Sequence, residues 1–214
     1  MPRSNIAVDK QLAQWLANTA ESKNKPIYAL TNEIIKIGLD LIDGKVEINE
    51  LPTTVKIMKM MKDLDVVPVP GDLMDLMIKM LYLSDREQLM QIGFREGEEL
   101  GNYFSTFYKS MVELISSSKD VLVQIFPLKR LELEPTSVNG EKAVYTLRAI
   151  GVGRSRETTE FVKEVMRGML SVYKEVRVID IRSNNGFLEL EFQMNVDELN
   201  KIAGRNFETE DFRI

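Results

Sequence analysis

The first forty residues change from a period of two to a helical period. Ile6 and Val8 alternate with polar or small neighbours, which predicts a short β-strand. Asp9 is suited to cap a helix, and Pro26 to begin a second helix that ends near Gly44. The apolar face of the first helix comprises Leu12, Trp15, Leu16, Thr19 and Ala20. This part of the chain therefore predicts the order strand, helix, turn, helix.

Helical spacing continues through the middle of the chain. Apolar positions recur every three or four residues over 55–61 and 73–81, and another helix is predicted from Ser84-Asp85 towards Ser116. The segment 66–71 contains two prolines, which predicts an extended connector.

The last third of the chain has mainly the pattern of strands. A helix is predicted over 156–173, and the Asn-Gly pairs at 139–140 and 185–186 predict hairpin turns. The predicted strands are 121–126, which residues 130–134 either extend or pair with, then 143–150, 176–182 and 186–194. The order β-β-α-β-β behind several helices predicts an α+β fold.

Three regions follow from these elements. Residues 1–44 are predicted to form a small dimerisation domain, and residues 45–70 a linker with a short helix. Residues 71–214 are predicted to form an α+β domain for ligand sensing or oligomerisation. Because a lone strand leaves its backbone edges unpaired, we expect the same strand of a second copy to complete it. The sequence thus predicts a homodimer, with higher oligomers left open.

Composition excludes several kinds of chemistry. The 214-residue chain contains no cysteine and no histidine, so thiol nucleophiles, Ser-His-Asp triads and cysteine-ligated zinc are impossible. We predict no catalytic residue, no metal site and no cofactor, and hence no enzyme. No apolar run approaches the roughly 18 residues of a membrane span, and the first residues are polar. We therefore expect no membrane association and a cytoplasmic location.

The predicted strand carries side chains suited to contact DNA bases. If Ile6 and Val8 face a dimer core, Arg3, Asn5 and Ala7 face outward. A two-stranded ribbon fits the major groove, where arginine pairs with guanine, asparagine pairs with adenine and alanine packs on a thymine methyl. Phosphates are expected to meet the turn before the second helix, at Lys23, Asn24 and Lys25.

This pattern resembles a ribbon-helix-helix domain of the MetJ/Arc type. The matching segments are 6–12, 23–26 and 29–35, about a fifth of the chain. The resemblance implies DNA binding as a dimer. A ribbon that only dimerises is the alternative.

The C-terminal part is similar to vinyl-reductase-like ligand domains. The likeness rests on Gly93, Gly97, Leu100 and Gly101, then on 168–170 and 178–192. It implies a pocket for a small apolar or aromatic molecule.

Two further patterns have a functional and a structural explanation. Gly93, Gly97 and Gly101 lie on one helix face, where they permit either a ligand groove or close helix packing, and we favour packing. Seven methionines between Met58 and Met90 suit either an adaptable apolar site or an ordinary core, and we favour the core.

These observations lead to two hypotheses for function. The first is a homodimeric, sequence-specific transcription regulator that is controlled by a small apolar ligand. The alternative is an antitoxin or assembly protein whose C-terminal domain binds a protein partner. An enzyme ranks third.

Overall fold

The structure is a computed structural model that describes residues 6–139 and 142–195. The chain forms two compact units, Met1–Val55 and Lys56–Ile214. The predicted boundaries at 44 and 70 remain predictions.

The first unit contains two helices in the predicted places. Helix α1 spans Lys10–Ser22 and helix α2 spans Ile27–Asp43, followed by a short 3₁₀ helix at Ile48–Glu50. Asp9 caps α1 as predicted, since its carboxylate accepts a hydrogen bond of 2.8 Å from the Leu12 amide.

Five more helices are described in the rest of the chain. Helix α3 (Leu51–Asp63) crosses the boundary between the units. The others are α4 (Gly71–Ser84), α5 (Arg86–Ser105), α6 (Met111–Ile125) and α7 (Arg156–Ser171).

The described strands form a four-stranded antiparallel sheet. They are β1 (Arg130–Asn139), β2 (Lys142–Val152), β3 (Val176–Asn184) and β4 (Gly186–Asn195), in the spatial order β1-β2-β4-β3. The predicted hairpin between β3 and β4 is confirmed, and Gly186 adopts the positive φ of 76° that its turn requires. The predicted α+β class and the order β-β-α-β-β are confirmed. The turn residue Gly140 lies outside the described residues.

Helix α7 lies between the sheet and α5, in the middle of the core. The apolar side chains of β2 and β4 pack on one face of the sheet, and α7 buries most of its length against that face and against α5. The fully buried side chains include Leu147, Leu188, Leu190, Phe192, Met166 and Leu170.

Close backbone contact joins α5 to α7. A Cβ atom added at Gly97 would overlap the Val165 carbonyl oxygen, and one added at Gly168 would overlap the Phe94 carbonyl oxygen. At Gly101 the added atom would lie 2.8 Å from the Met169 carbonyl oxygen. The glycines therefore permit close helix packing, as favoured from the sequence.

The predicted strand over 121–126 is wrong, because these residues form the end of α6 and the turn after it. Val121, Leu122 and Phe126 recur at helical spacing and are buried, whereas Gln124 between them is exposed. A run of six mostly apolar residues satisfies a strand and a buried helix equally well, so the periodicity did not distinguish them.

The predicted N-terminal strand is also wrong. Residues 6–9 form no strand and lead directly into α1, with Ile6 67% and Val8 50% exposed. An alternation of only four residues is too short to specify a strand. In addition, Asp9 is the N-cap of α1, so the residues that follow it are helical. The two helices of the ribbon-helix-helix interpretation are present, but the strand that defined it is not.

Within residues 6–139 and 142–195, no helix is long and apolar enough to cross a membrane.

We predict that Gly97→Ala and Gly168→Ala each lower the free energy of unfolding by about 2–3 kcal/mol, because the new methyl group collides with a carbonyl oxygen. Urea denaturation followed by circular dichroism measures the change. Gly71→Ala is the control, since its Cβ meets nothing within 4 Å, and we expect a change within about 0.5 kcal/mol. Equal stability of all three variants would contradict the close contact.

Candidate ligand-binding cleft

An apolar cleft of about 320 Å³ lies within the second unit. Helix α7 contributes Phe161, Val162 and Val165, and the end of α6 contributes Ile125, Phe126 and Pro127. The remaining apolar lining residues are Met60, Leu64, Val66, Met74 and Leu100. Its volume is within the range of roughly 300–1,000 Å³ typical of small-molecule sites.

Helix α5 forms the wall that carries charge. Glu96, Glu99 and Leu100 line the cleft at a spacing of three and four residues, so they share one helix face. The neighbouring face holds the glycines packed on α7. A Cβ added at Gly93 would lie 3.0 Å from the Phe161 ring, so the glycine contact also sets the position of a lining side chain.

A hydrogen bond joins α3 to α5 beside the cleft. The Tyr103 hydroxyl donates to an Asp63 carboxylate oxygen over 3.2 Å. The pKa of Tyr103 is raised, mainly by desolvation and secondly by this hydrogen bond to a carboxylate. After α3, the Val66 amide donates to the Met61 carbonyl oxygen over 2.8 Å, which turns the chain so that Val66 also lines the cleft.

Helix α4 is attached to the start of α7 through Asp75. Its carboxylate accepts hydrogen bonds from the Arg154 amide over 3.4 Å, from the Ser155 hydroxyl over 3.5 Å and from the Thr158 hydroxyl. A carboxylate at a helix N-terminus is stabilised by the unpaired amides there. Because Met74 precedes Asp75, this attachment holds Met74 at the cleft.

A second polar cluster joins α4, α5 and α7 around Glu160. Its buried carboxylate accepts hydrogen bonds from Tyr82 over 3.0 Å, from Arg86 over 2.6 Å and from Arg156 over 3.2 Å. Desolvation acts to raise the pKa of Glu160, but the hydrogen bonds from Tyr82 and Arg86 and the arginine charge outweigh it. The pKa is therefore lowered.

A smaller hollow of about 200 Å³ lies on the polar face of the sheet. Its main charges are paired within the protein, since Glu189 accepts a bond of 2.8 Å from Arg148 and Asp180 one of 2.8 Å from Arg182. No group of three acidic side chains in the described ranges is arranged to hold a metal ion. We assign this hollow no ligand.

The structure describes only some of the residues predicted to contact DNA, so that set stays a prediction. Arg3 and Asn5 lie outside the described residues, and Ala7 is exposed in the segment before α1. Lys23 and Asn24 are exposed in the turn after α1. Lys25 forms an ion pair of 2.6 Å with Glu33, and this hydrogen bond and charge lower the pKa of Glu33.

The sequence did not identify the set of residues that line the cleft, although a pocket for a small apolar molecule was expected in this part of the chain and two sequence patterns belong to the cleft. The glycine spacing marked the helix pair that forms one side. Of the seven methionines, Met60 is buried and lines the cleft with the half-buried Met74, whereas Met58, Met77 and Met80 are exposed. The preferred assignment of these methionines to the core therefore holds for only part of the set.

No known family model matches the chain, and no curated protein matches it. Solved structures with a similar shape include an H-NOX mutant from T. tengcongensis, at 12% identity and a TM-score of 0.37, over 60% of this chain and 75% of that one. A second, from work on heme distortion in the H-NOX family, has 14% identity and a TM-score of 0.37, over 61% and 73%. Similarity this low identifies neither a family nor a function for the chain.

The interpretation as a DNA-binding transcription regulator is corrected because the N-terminal residues that the structure describes do not have the predicted strand. The strand that was to enter the major groove is not formed over residues 6–9, and no family model supports a ribbon-helix-helix domain. The likeness to vinyl-reductase-like domains also has no family match.

We predict that Glu160→Gln lowers the free energy of unfolding at pH 7 by about 1–2 kcal/mol, since charge-assisted hydrogen bonds are lost. A lowered folded pKa stabilises the protein above the unfolded value of about 4.3, and this contribution is lost as the pH falls through the folded pKa. The difference between wild type and variant should therefore shrink below about pH 4.

Urea denaturation at a series of pH values measures this difference, with Glu98→Gln as a control for the loss of one carboxylate on α5. If the difference in free energy of unfolding between wild type and Glu160→Gln stays constant down to pH 3, the Glu160 charge does not stabilise the fold.

Proposed function

We propose that the second unit binds a small, largely apolar molecule in the cleft between α5, α7 and the end of α6. The observation that carries this proposal is the composition of the lining, in which eleven of thirteen residues are apolar. An apolar cavity with few charged groups is the usual form of a small-molecule site.

Attachment of the cleft walls also supports binding. The Asp75 and Glu160 clusters fix α4 to α7, and the Tyr103–Asp63 bond fixes the end of α3 to α5. A cavity formed by attached elements loses little conformational entropy when a ligand enters, which favours binding. The two methionines at the cleft add adaptability, because an unbranched thioether adjusts to ligands of different shape.

The heme of the H-NOX neighbours is not part of this proposal. Histidine and cysteine, two common axial ligands of heme iron, do not occur in the chain. The lining offers methionine thioethers and two carboxylates, and mostly hydrocarbon. This surface suits a hydrocarbon-rich organic ligand better than an iron porphyrin.

We still propose a homodimer, but the argument for it is now the exposed surface of α4 and no longer a shared N-terminal strand. The predicted shared strand no longer supports a dimer, but α4 exposes six apolar side chains. They are Leu73, Leu76, Met77, Met80, Leu81 and Leu83. A helix that is apolar nearly all round is normally covered, which favours association.

We predict that the protein binds Nile red, an uncharged fluorescent probe, and that 1-decanol displaces it. Leu100→Trp should weaken this binding at least tenfold, because the larger ring fills the cleft beside Phe161 and Val165. Fluorescence titration measures the affinity. A saturating ligand should also raise the melting temperature, since 100 times Kd adds about 2.7 kcal/mol of stability.

Leu39→Trp is the matched control, because Leu39 is exposed on α2 and does not belong to the lining of the cleft. Equal loss of binding in both tryptophan variants, or no displaceable binding in the wild type, would refute the proposed site.

A further inference from the structure

We propose that the cleft selects amphiphiles whose head group is cationic, such as an alkylammonium, over neutral or anionic ones of equal chain length. This inference rests on the proposed function and specifies the ligand class for the same site. The juxtaposition that supports it is a pair of acidic side chains in an otherwise apolar lining.

Both charged residues of the lining are acidic. Glu96 and Glu99 stand three positions apart on α5, which places their Cβ atoms about 5–6 Å apart on one helix face. Both are exposed residues, whereas Val162 and Val165 of the neighbouring helix α7 are buried. The carboxylates therefore mark the side where the cleft meets solvent, and the hydrocarbon lies further in.

Little within the protein neutralises this pair. Glu96 lies 3.5 Å from Arg95, but both side chains are at least half exposed, and such pairs are weak. Among the described residues, Glu99 has no ion-pair partner. No lysine or arginine lines the cleft. Two negative charges therefore face the opening.

The surrounding hydrocarbon strengthens their effect on a ligand. A charge next to a low-dielectric wall acts over a longer range than one surrounded by water, so an entering ammonium is attracted while its tail replaces water against Leu100 and Phe161. An anionic head at the same depth meets repulsion from both carboxylates. The site thus discriminates by the sign of the head group.

The inference is tested with three probes of equal chain length, octylammonium, 1-octanol and octanoate, each by calorimetric titration at pH 7 and low salt. We expect octylammonium to bind about tenfold more tightly than octanol, and octanoate more weakly than both. The advantage of the cation should shrink at high salt, since the carboxylates are exposed.

The variant Glu96→Gln/Glu99→Gln should reduce the affinity for octylammonium to that for octanol and leave octanol binding unchanged. Glu98→Gln is the matched control, because it removes the same charge from α5 at a position that does not line the cleft. It should retain most of the preference for the cation.

The remaining outcomes distinguish failure of the charge selection from failure of the apolar site. Octanol binding without a preference for the cation, or a preference that the double variant retains, overturns the charge selection and leaves the apolar site intact. Failure of all three probes to bind overturns the proposed function together with this inference.

Discussion

The backbone contact between α5 and α7 determines the architecture of the second unit. Gly97 and Gly168 allow each helix to approach the carbonyl oxygens of the other more closely than any residue with a Cβ atom would permit. Glycines within helices cost about 1 kcal/mol each relative to alanine, so the close packing has to compensate for them. With α7 fixed against the sheet, this contact also fixes α5, and α5 carries the charged wall of the cleft.

Hydrogen bonds and ion pairs hold the walls of the cleft where the helices bury few apolar side chains. α4 buries only Ile78, and it is held to α7 by Asp75 and by the Tyr82 bond to Glu160. The end of α3 is held by the bond from Tyr103 to Asp63. These attachments differ in strength, because Glu160 is buried whereas Asp63 is exposed. The α7 side of the cleft is therefore expected to be its most rigid part.

Local patterns predicted much of the fold. The Asp9 cap, the α7 helix and the hairpin before Gly186 were each specified by neighbouring residues and are present. The errors occurred where local pattern was ambiguous, as in the run 121–126, or where a strand lacked a partner, as at residues 6–9. The resemblance that followed from the second error also misdirected the functional hypothesis.

The lining of the cleft could not be predicted from the sequence, for a different reason. Its lining comes from α3 to α7 and the connector at Val66, over more than one hundred positions between Met60 and Val165. No local spacing reveals that such distant side chains converge. The glycine face on α5 was the nearest signal. It allowed either a ligand groove or close helix packing, and the glycines themselves serve the packing of α5 on α7.

Methionine-methyl NMR tests the central claim, binding of an apolar molecule in the cleft, most directly. With ¹³C-methyl methionine and assignments from single Met→Leu variants, addition of a neutral aliphatic alcohol should shift the signals of Met60 and Met74 at saturating concentration. The signals of Met58 and Met80, which are exposed away from the lining, should remain in place. Shifts confined to Met58 and Met80, with Met60 and Met74 unchanged, would contradict the account.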